Sequence, residues 1–432
     1  MTVEPDTKLD RKSVAGWCIY DWANSPFPAI VLTFVIPAYF AQAVVGDPAT
    51  ATTLWAIMTG TAAFVIAILS PILGAIADQG WRRKPWLGVF TIIMAVGSAL
   101  LWLVRPDPDH AFMLLILVGV GIVAFELSMV FYNALLPTLV PQRLTGRISG
   151  WAWGLGYFGG VGGLLIVLFG FVQAKPPPFG LDSTAAVLEH VRVAGPIVAL
   201  WLVVFCLPLL IWTRDPRGRG LGPLPAVRSG LAELRSTIAG LRHHPQLWRY
   251  LLARMIFTDG LNTLFAFGGV FAAGTFGMPV AEVIMFGLIL NVTAGAGAFA
   301  FGWIDDRIGA KRTILIGLCG LVIVGVPLLV VESKLAFVIL GSILGIFFGP
   351  VQAASRSFMA RITPAGMEGE MFGLYALSGK ATAFAGPWLV ALITATTGSQ
   401  RWGMASVLPF LVIGGLLLWL SVRDAAPDRQ SR

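Results

Sequence analysis

Twelve apolar runs, each long enough to cross a bilayer, follow one another along this 432-residue chain. They cover roughly residues 15–43, 54–77, 86–104, 111–138, 148–173, 194–213, 250–276, 281–304, 313–331, 335–359, 369–396 and 403–422. About 17–25 apolar residues make one helical crossing. In lipid, a helix satisfies its own backbone hydrogen bonds. The pattern therefore predicts an all-α membrane protein with twelve transmembrane helices. Composition agrees, with 57% of residues hydrophobic and 12% charged, where a soluble domain carries about 25% charged residues.

The loops sort into two sets as the runs alternate. One set holds Lys8, Arg11 and Lys12, Arg82-Arg83-Lys84, Arg143 and Arg147, and seven arginines between 214 and 249. It also holds Arg307, Lys311, Arg312, Arg361, Arg423, Arg429 and Arg432, against only Arg105, Lys175, Arg192, Lys334 and Arg401 in the other set. The positive-inside rule puts the first set, and both termini, in the cytoplasm, and a bacterial inner membrane is the expected location. The net charge of +8 is then mostly topogenic, so nucleic acid is not an expected partner. The polar first fifteen residues predict no cleavable leader. Cys18, Cys206 and Cys319 lie far apart in or beside apolar runs and imply no disulfide framework. His110, His190, His243 and His244 fall in loops without a cysteine–histidine cluster, so no metal or other cofactor is expected. There is no phosphate-binding G-x-x-x-x-G-K-S/T loop to drive the protein with ATP. No nucleophile–base set points to an enzyme.

The longest connection, 214–249, divides the chain into an N-terminal half (1–213) and a C-terminal half (250–432) with a short cytoplasmic tail. Within it, Leu231, Leu234, Ile238 and Leu241 recur at helical spacing among Arg228, Arg235 and Arg242. That is an amphipathic helix, lying on the membrane surface or packed on the bundle. The loop 174–193 reads as an extended turn and a short helix without chemistry. The halves repeat. Gly74-x-x-x-Asp78-Gln79-Gly80-Trp81-Arg82-Arg83 returns as Gly302-x-x-x-Asp306-Arg307-Ile308-Gly309-Ala310-Lys311-Arg312. Asp21-x-x-Asn24 returns as Asp259-x-x-Asn262, and Val140-Pro141 as Thr363-Pro364. Three markers in one order predict two pseudo-symmetric six-helix bundles. In the glycine–aspartate–basic loops, glycine permits close helix approach. The aspartate can pair with a basic residue or a neighbouring helix N-terminus. The loops are candidate gate locks, or else tight turns carrying topogenic arginines.

These loops resemble the G-x-x-x-D-R-x-G-R-R/K signature of the major facilitator superfamily. The second copy differs mainly at Ala310; the first departs more, with Gln79 for the arginine and Trp81 for the glycine. A closer resemblance is carried by Tyr20-Asp21-Trp22-Ala23-Asn24-Ser25-Pro26, Phe131 to Pro137, Gly150 to Gly160, Asp259-Gly260-Leu261-Asn262-Thr263 and Gln352 to Ser357. Together they look like the branch of the autophagy-related vacuolar amino-acid effluxers and their bacterial relatives, over residues 16–423. The resemblance implies the major facilitator fold and alternating-access transport, with spans 1, 4, 7 and 10 lining a central cavity.

Six ionisable residues lie deeper than the second residue of a run: Asp21, Glu126, Arg254, Asp259, Arg356 and Lys380. Left unpaired at mid-span they would cost roughly 15–20 kcal/mol to insert, so they must face one another or a water-filled cavity. Glu126, Asp259 and Asp21, in that order, are candidate proton carriers, Asp21 also reading as a cap beside Asn24 and Ser25 at an interfacial helix start. Arg356 and Lys380 suit a substrate carboxylate or phosphate, or permanent pairing with Glu126 and Asp259. Asn133 holds in the first half the place of Arg356 in the second. Asn24, Asn262 and Gln352 are further polar candidates. Trp151, Trp153 and Tyr157 read as path-lining or as packing residues. Pro26 and Pro28 should loosen the first helix beside its polar patch. The expectation is a monomeric secondary transporter of a small polar solute, such as an amino acid, coupled to protons. A lipid or lipid-linked-precursor flippase of the same fold and a transport-dead sensor are the alternatives.

Overall fold

The computed structural model describes residues 9–79, 82–215, 223–240, 245–278 and 280–424. Lys8, Gly80, Trp81, Leu241, Arg242, His243, His244, Arg429 and Arg432 lie outside them, as do the two chain ends. Six helices begin the crossings of the first half: α1 (Arg11–Asn24), α2 (Pro48–Gln79), α3 (Arg83–Leu100), α4 (Ala111–Leu139), α5 (Thr145–Val167) and α6 (Ala194–Trp212). A linker helix follows, α7 (Pro223–Gly240). The second half contains α8 (Pro245–Phe276), α9 (Val280–Ile308), α10 (Ala310–Val330), α11 (Lys334–Ile362), α12 (Glu368–Ser378), α13 (Ala385–Thr397) and α14 (Leu408–Ser421).

Among the described residues, eleven helical segments are long and apolar enough to cross a membrane by themselves. The eleventh of the twelve expected crossings is made in two pieces, α12 and α13, separated by turns at residues 379–384. The first crossing is irregular for a different reason. Beyond Asn24 it continues as wide π-type turns over Phe27–Phe34 and Phe40–Val45 around a short helix, Ile36–Tyr39. Pro26, Pro28 and Pro37 supply no N–H, and carbonyls here find donors five residues on, as in Val35 N to Ile30 O at 3.1 Å. The loosening expected at Pro26 and Pro28 is present.

The two halves repeat one packing scheme. Span 1 lies on spans 5 and 6 as span 7 lies on spans 11 and 12, and the pairs 2–4, 3–4 and 3–6 recur as 8–10, 9–10 and 9–12. Between the halves, α2 packs on α12 and α9 packs on α5. Both seams are made of glycine. A Cβ on Gly74 would strike the carbonyl of Gly369, one on Gly369 the carbonyl of Gly74, and one on Gly150 the carbonyl of Ala298 beside Gly302. All the described basic loop residues of the first set lie at the end of the bundle where these seams close, here called the basic face.

The linker helix packs on the bundle, on the end of α2. Ala226 and Leu234 are buried there, and Gly230 sits so close that a Cβ would lie 2.9 Å from Ile76. Leu231 points away, 42% exposed. Gln79, standing where the signature has arginine, is hydrogen-bonded to Glu233 and accepts from Ser229 at 3.2 Å.

Gly150→Leu should be the more damaging of two matched changes, since backbone on α9 leaves its side chain no room. A loss of about 1–3 kcal/mol is expected, read as a lower unfolding midpoint in detergent. Gly60→Leu, at a position with nothing within 4 Å, should leave the midpoint in place.

Candidate functional site

Arg356, near the basic end of α11, reaches across the interface into the first half. Its Nη1 donates to Asp21 Oδ2 of α1 at 3.0 Å and to Asn133 Oδ1 of α4 at 3.4 Å. Nε and Nη2 donate to the hydroxyl and carbonyl of Ser149 on α5, at 2.9 and 2.8 Å. The guanidinium lies 4.8 Å from the Trp17 ring centre, 5.5 Å from Tyr132 and 5.6 Å from Trp153. With side-chain exposures of 1% for Arg356 and 8% for Asp21, this pair is sealed. A guanidinium tolerates such burial because four hydrogen bonds engage its planar fork and its faces lie against aromatic rings. Asn133, the repeat partner of Arg356, thus touches it. The reading of Asp21 as a cap is overturned: α1 starts at Arg11, capped by Asp10, which accepts from Lys12 N and Ser13 N, and Asp21 lies ten residues inside the helix.

The second cross-interface pair is built differently. Glu126 is near the midpoint of α4, and Lys380 sits in the break between α12 and α13. Lys380 Nζ is 2.6 Å from Glu126 Oε1, with exposures of 27% and 22%. Charge half-way along a membrane helix is tolerated where it faces water or a partner, and here each charge has the other, in a part-buried pair that joins the halves. Arg356 and Lys380 therefore have Asp21 and Glu126 as partners, and Asp259 has neither. Asp259, buried to 2%, meets the backbone N–H of Gly386 at the start of α13. The sequence match of Asp21 with Asp259 is real, yet the two carboxylates have different partners.

On the basic face the two signature loops make the same contact twice. Asp78 accepts from Gly369 N at 2.9 Å and Glu370 N at 2.8 Å, the first turn of α12 in the opposite half. Arg83 Nη2 lies 2.8 Å from Asp78 and 2.6 Å from Glu368. In the second copy Asp306 accepts from Arg147 N, in the first turn of α5, at 3.2 Å. Arg361 holds Asp305 at 2.6 Å and Asp306 at 3.4 Å, and Ser357 donates to Asp305 at 2.5 Å. Each aspartate places negative charge at a helix N-terminus, where the dipole favours it.

The remaining predicted residues divide. Gly74 and Gly302 make the seams described above. Gly309, at φ 93°, turns the chain from α9 into α10, a region that favours glycine. Lys311 caps the end of α14, donating to Trp419 O and Val422 O at 3.0 and 2.6 Å. Arg312 faces Asp424 at 3.6 Å, while Arg82 and Arg307 are exposed. Asn24 Nδ2 lies 3.4 Å from Met129 Sδ, and Asn262 and Gln352 are half-buried. Trp151 stacks on Phe299 in the α5–α9 seam, a packing role, and Trp153 lies between Arg356 and Tyr157. Glu368, Asp305, Arg361, Arg147 and Ser149 were absent from the sequence-based candidates. Their signal is positional: each lies within a turn or two of a marker in the repeat.

A two-fold repeat of six helices, seams between spans 2 and 11 and spans 5 and 8, and paired signature locks define a transporter of the major facilitator type. Solved structures share the fold: the transporter FucP in its outward conformation (TM-score 0.71, 15% identity, 96% of this chain and 100% of that one) and a bacterial homologue of the iron transporter ferroportin in an outward-facing state (0.67, 14%, 95% and 98%). More particularly, the chain belongs to the family described as vacuole effluxer Atg22 like, which matches residues 43–430. An uncharacterized MFS-type transporter, YxiO of Bacillus subtilis, is 26% identical over 98% of this chain and 97% of its own length. Autophagy-related protein 22 of Coccidioides immitis is 22% identical over 96% and 87%. The match to autophagy-related protein 22-1 of Penicillium rubens, 25% identical over 61% of this chain, spans 47% of that protein.

The two ion pairs should respond differently to truncation. Arg356→Ala strands a buried carboxylate and is expected to cost about 3–5 kcal/mol, seen as a large fall in unfolding midpoint. Lys380→Ala, at a partly exposed pair, should cost about 1 kcal/mol or less.

Proposed function

We propose that this chain is a proton-coupled secondary transporter of a small polar solute, an amino acid or a similar zwitterion. The observation that carries the reading is the Glu126–Lys380 pair, part-buried between the halves at mid-bundle. Protonation of Glu126 frees Lys380, and the freed ammonium can hold a carboxylate on the cargo. The order of candidate carriers becomes Glu126 and then Asp259, because Asp21 is committed to Arg356. Asp78 and Arg83 with the first turn of α12, and Asp306 with Arg147 of α5, act as locks on one face. They hold the seams shut in this state and separate as the halves, 1–213 and 250–432, rock about the site. With the basic face in the cytoplasm, the state described is closed to the cytoplasm. The protein works as a monomer in a bacterial inner membrane.

A thermal-shift screen of purified protein against amino acids, peptides, sugars and organic anions identifies the cargo, and counterflow in proteoliposomes verifies it. Glu126→Gln should abolish proton-driven accumulation of that cargo while sparing counterflow. Unchanged accumulation and pH dependence in this variant would sink the coupling role. A green fluorescent protein fused to the C-terminus should fluoresce and alkaline phosphatase fused there should be inactive, whereas the reverse pair of results would invert the topology.

A further inference from the structure

Residues 379–384 interrupt a membrane crossing, and the backbone groups freed at both broken ends have no water of the bilayer core to turn to. Both ends are met by the same neighbouring helix, α8. Arg254 Nη1 donates to the carbonyl of Tyr375 at 2.7 Å and to Ser378 Oγ at 2.7 Å, at the C-terminus of α12. The guanidinium lies 3.4 Å from the centre of the Tyr375 ring. Five residues further along α8, about 7.5 Å of rise, Asp259 accepts from Gly386 N at 3.3 Å to each oxygen, at the N-terminus of α13. The signs match the helix dipoles: a cation on the carbonyl end of α12 and an anion on the amide end of α13.

Glycine stands where each charge approaches. A Cβ on Gly379 would lie 3.1 Å from Arg254 Nη1, and one on Gly386 3.0 Å from Asp259 Oδ1. Both charges are buried, Arg254 to 6% and Asp259 to 2%. Neither has an ion-pair partner among the described residues, so their hydrogen bonds to the broken span are what hold them there. The two pieces share α8 but differ in their other neighbours. α12 is clamped to α2 and α4 of the first half, and α13 packs on the short helix Gln400–Ala405. Lys380 is the second residue of the break, so the direction of its side chain is set by how the two ends are held.

We propose that Arg254 and Asp259 are positioning residues for transport: together they hold the broken eleventh span open at residues 379–384 and thereby place Lys380 against Glu126. This rests on the reading of Glu126–Lys380 as the cavity pair. Discontinuous membrane helices are where transporters of several folds put their sites. Here the discontinuity is supported by two side chains that make no contact with that pair themselves.

The test uses full-length protein in lipid nanodiscs, labelled with a water-soluble amine-acylating reagent and read by peptide mass spectrometry. Lys334, paired with Glu282 on the surface, serves as the reference amine in the same sample. Arg254→Gln and Asp259→Asn should each raise the labelling rate of Lys380 on the order of tenfold, as expected for loss of one charged hydrogen bond, with Lys334 unchanged. Arg254→Lys, which keeps a donor and the charge, should restore most of the wild-type rate. Amide exchange should rise over residues 379–388 and stay slow in α14. Should Arg254→Gln fail to fold, the near-isosteric Asp259→Asn carries the same readout. Wild-type labelling in the folded variants overturns the proposal, and so does a rise in exchange spread evenly over the chain, which marks a general folding role. Failure of the underlying reading looks different: Glu126→Gln then leaves transport intact while Arg254 and Asp259 still set the Lys380 rate.

Discussion

A carboxylate seated on the N-terminus of another helix recurs three times, and the arrangement of the halves depends on it. Asp78 sits on α12, Asp306 on α5 and Asp259 on α13. The first turn of a helix leaves N–H groups without internal partners. Buried between packed helices these must be satisfied by protein, and an anion satisfies them while matching the helix dipole. Close approach is the condition. Gly369 and Gly386 leave the space that Asp78 and Asp259 occupy, and Gly146 leaves the space beside Asp306 that Asp305 fills. Two of the three contacts cross between halves on one face and so hold a conformation. The third stays within the second half and holds a broken span together.

The two ion pairs across the interface illustrate how burial separates architecture from action. Arg356 has every donor direction occupied or covered by aromatic rings, and its carboxylate partner is sealed with it. Rearranging such a pair exposes an uncompensated charge, so it suits a fixed point around which helices from both halves are assembled. Glu126 and Lys380 make a single bond, are only part-buried, and draw one partner from a non-helical segment. Exchange of that bond for water, a proton or a ligand disturbs little else.

Much of this was legible in the chain itself. The span count, the sorting of loop charges, the order of the repeat markers and the six intramembrane charges are all local patterns, and the structure pairs or hydrogen-bonds every one of those charges. The helix-terminus contacts of Asp78 and Asp306 were readable because helix-terminus chemistry depends on residue type and position in a loop. Partner choice was not. Asp21 looked like a helix cap because its polar neighbours and the following prolines resemble a helix start, whereas the helix begins ten residues earlier at Arg11, capped by Asp10. Asp259 looked like the twin of Asp21, yet it faces a broken helix that span 1 does not face. The run 369–396 is continuously apolar apart from its few charges, so hydropathy alone read it as one helix. Gly379 and the pair Gly386-Pro387 flank the break, but Gly369 and Gly373 lie in the same run without breaking it.

By itself the sequence determined that the chain is helical, crosses a membrane twelve times, repeats after the sixth crossing and carries charge where lipid would reject it. These follow from transfer free energy and backbone satisfaction, which act residue by residue and turn by turn. Only the tertiary structure decided which acid meets which base, where the eleventh crossing breaks and that Gln79 serves the linker helix. Those outcomes depend on angstrom-scale approach between helices far apart in the chain, set by glycine seams and by the competition of several polar groups for the same buried partners.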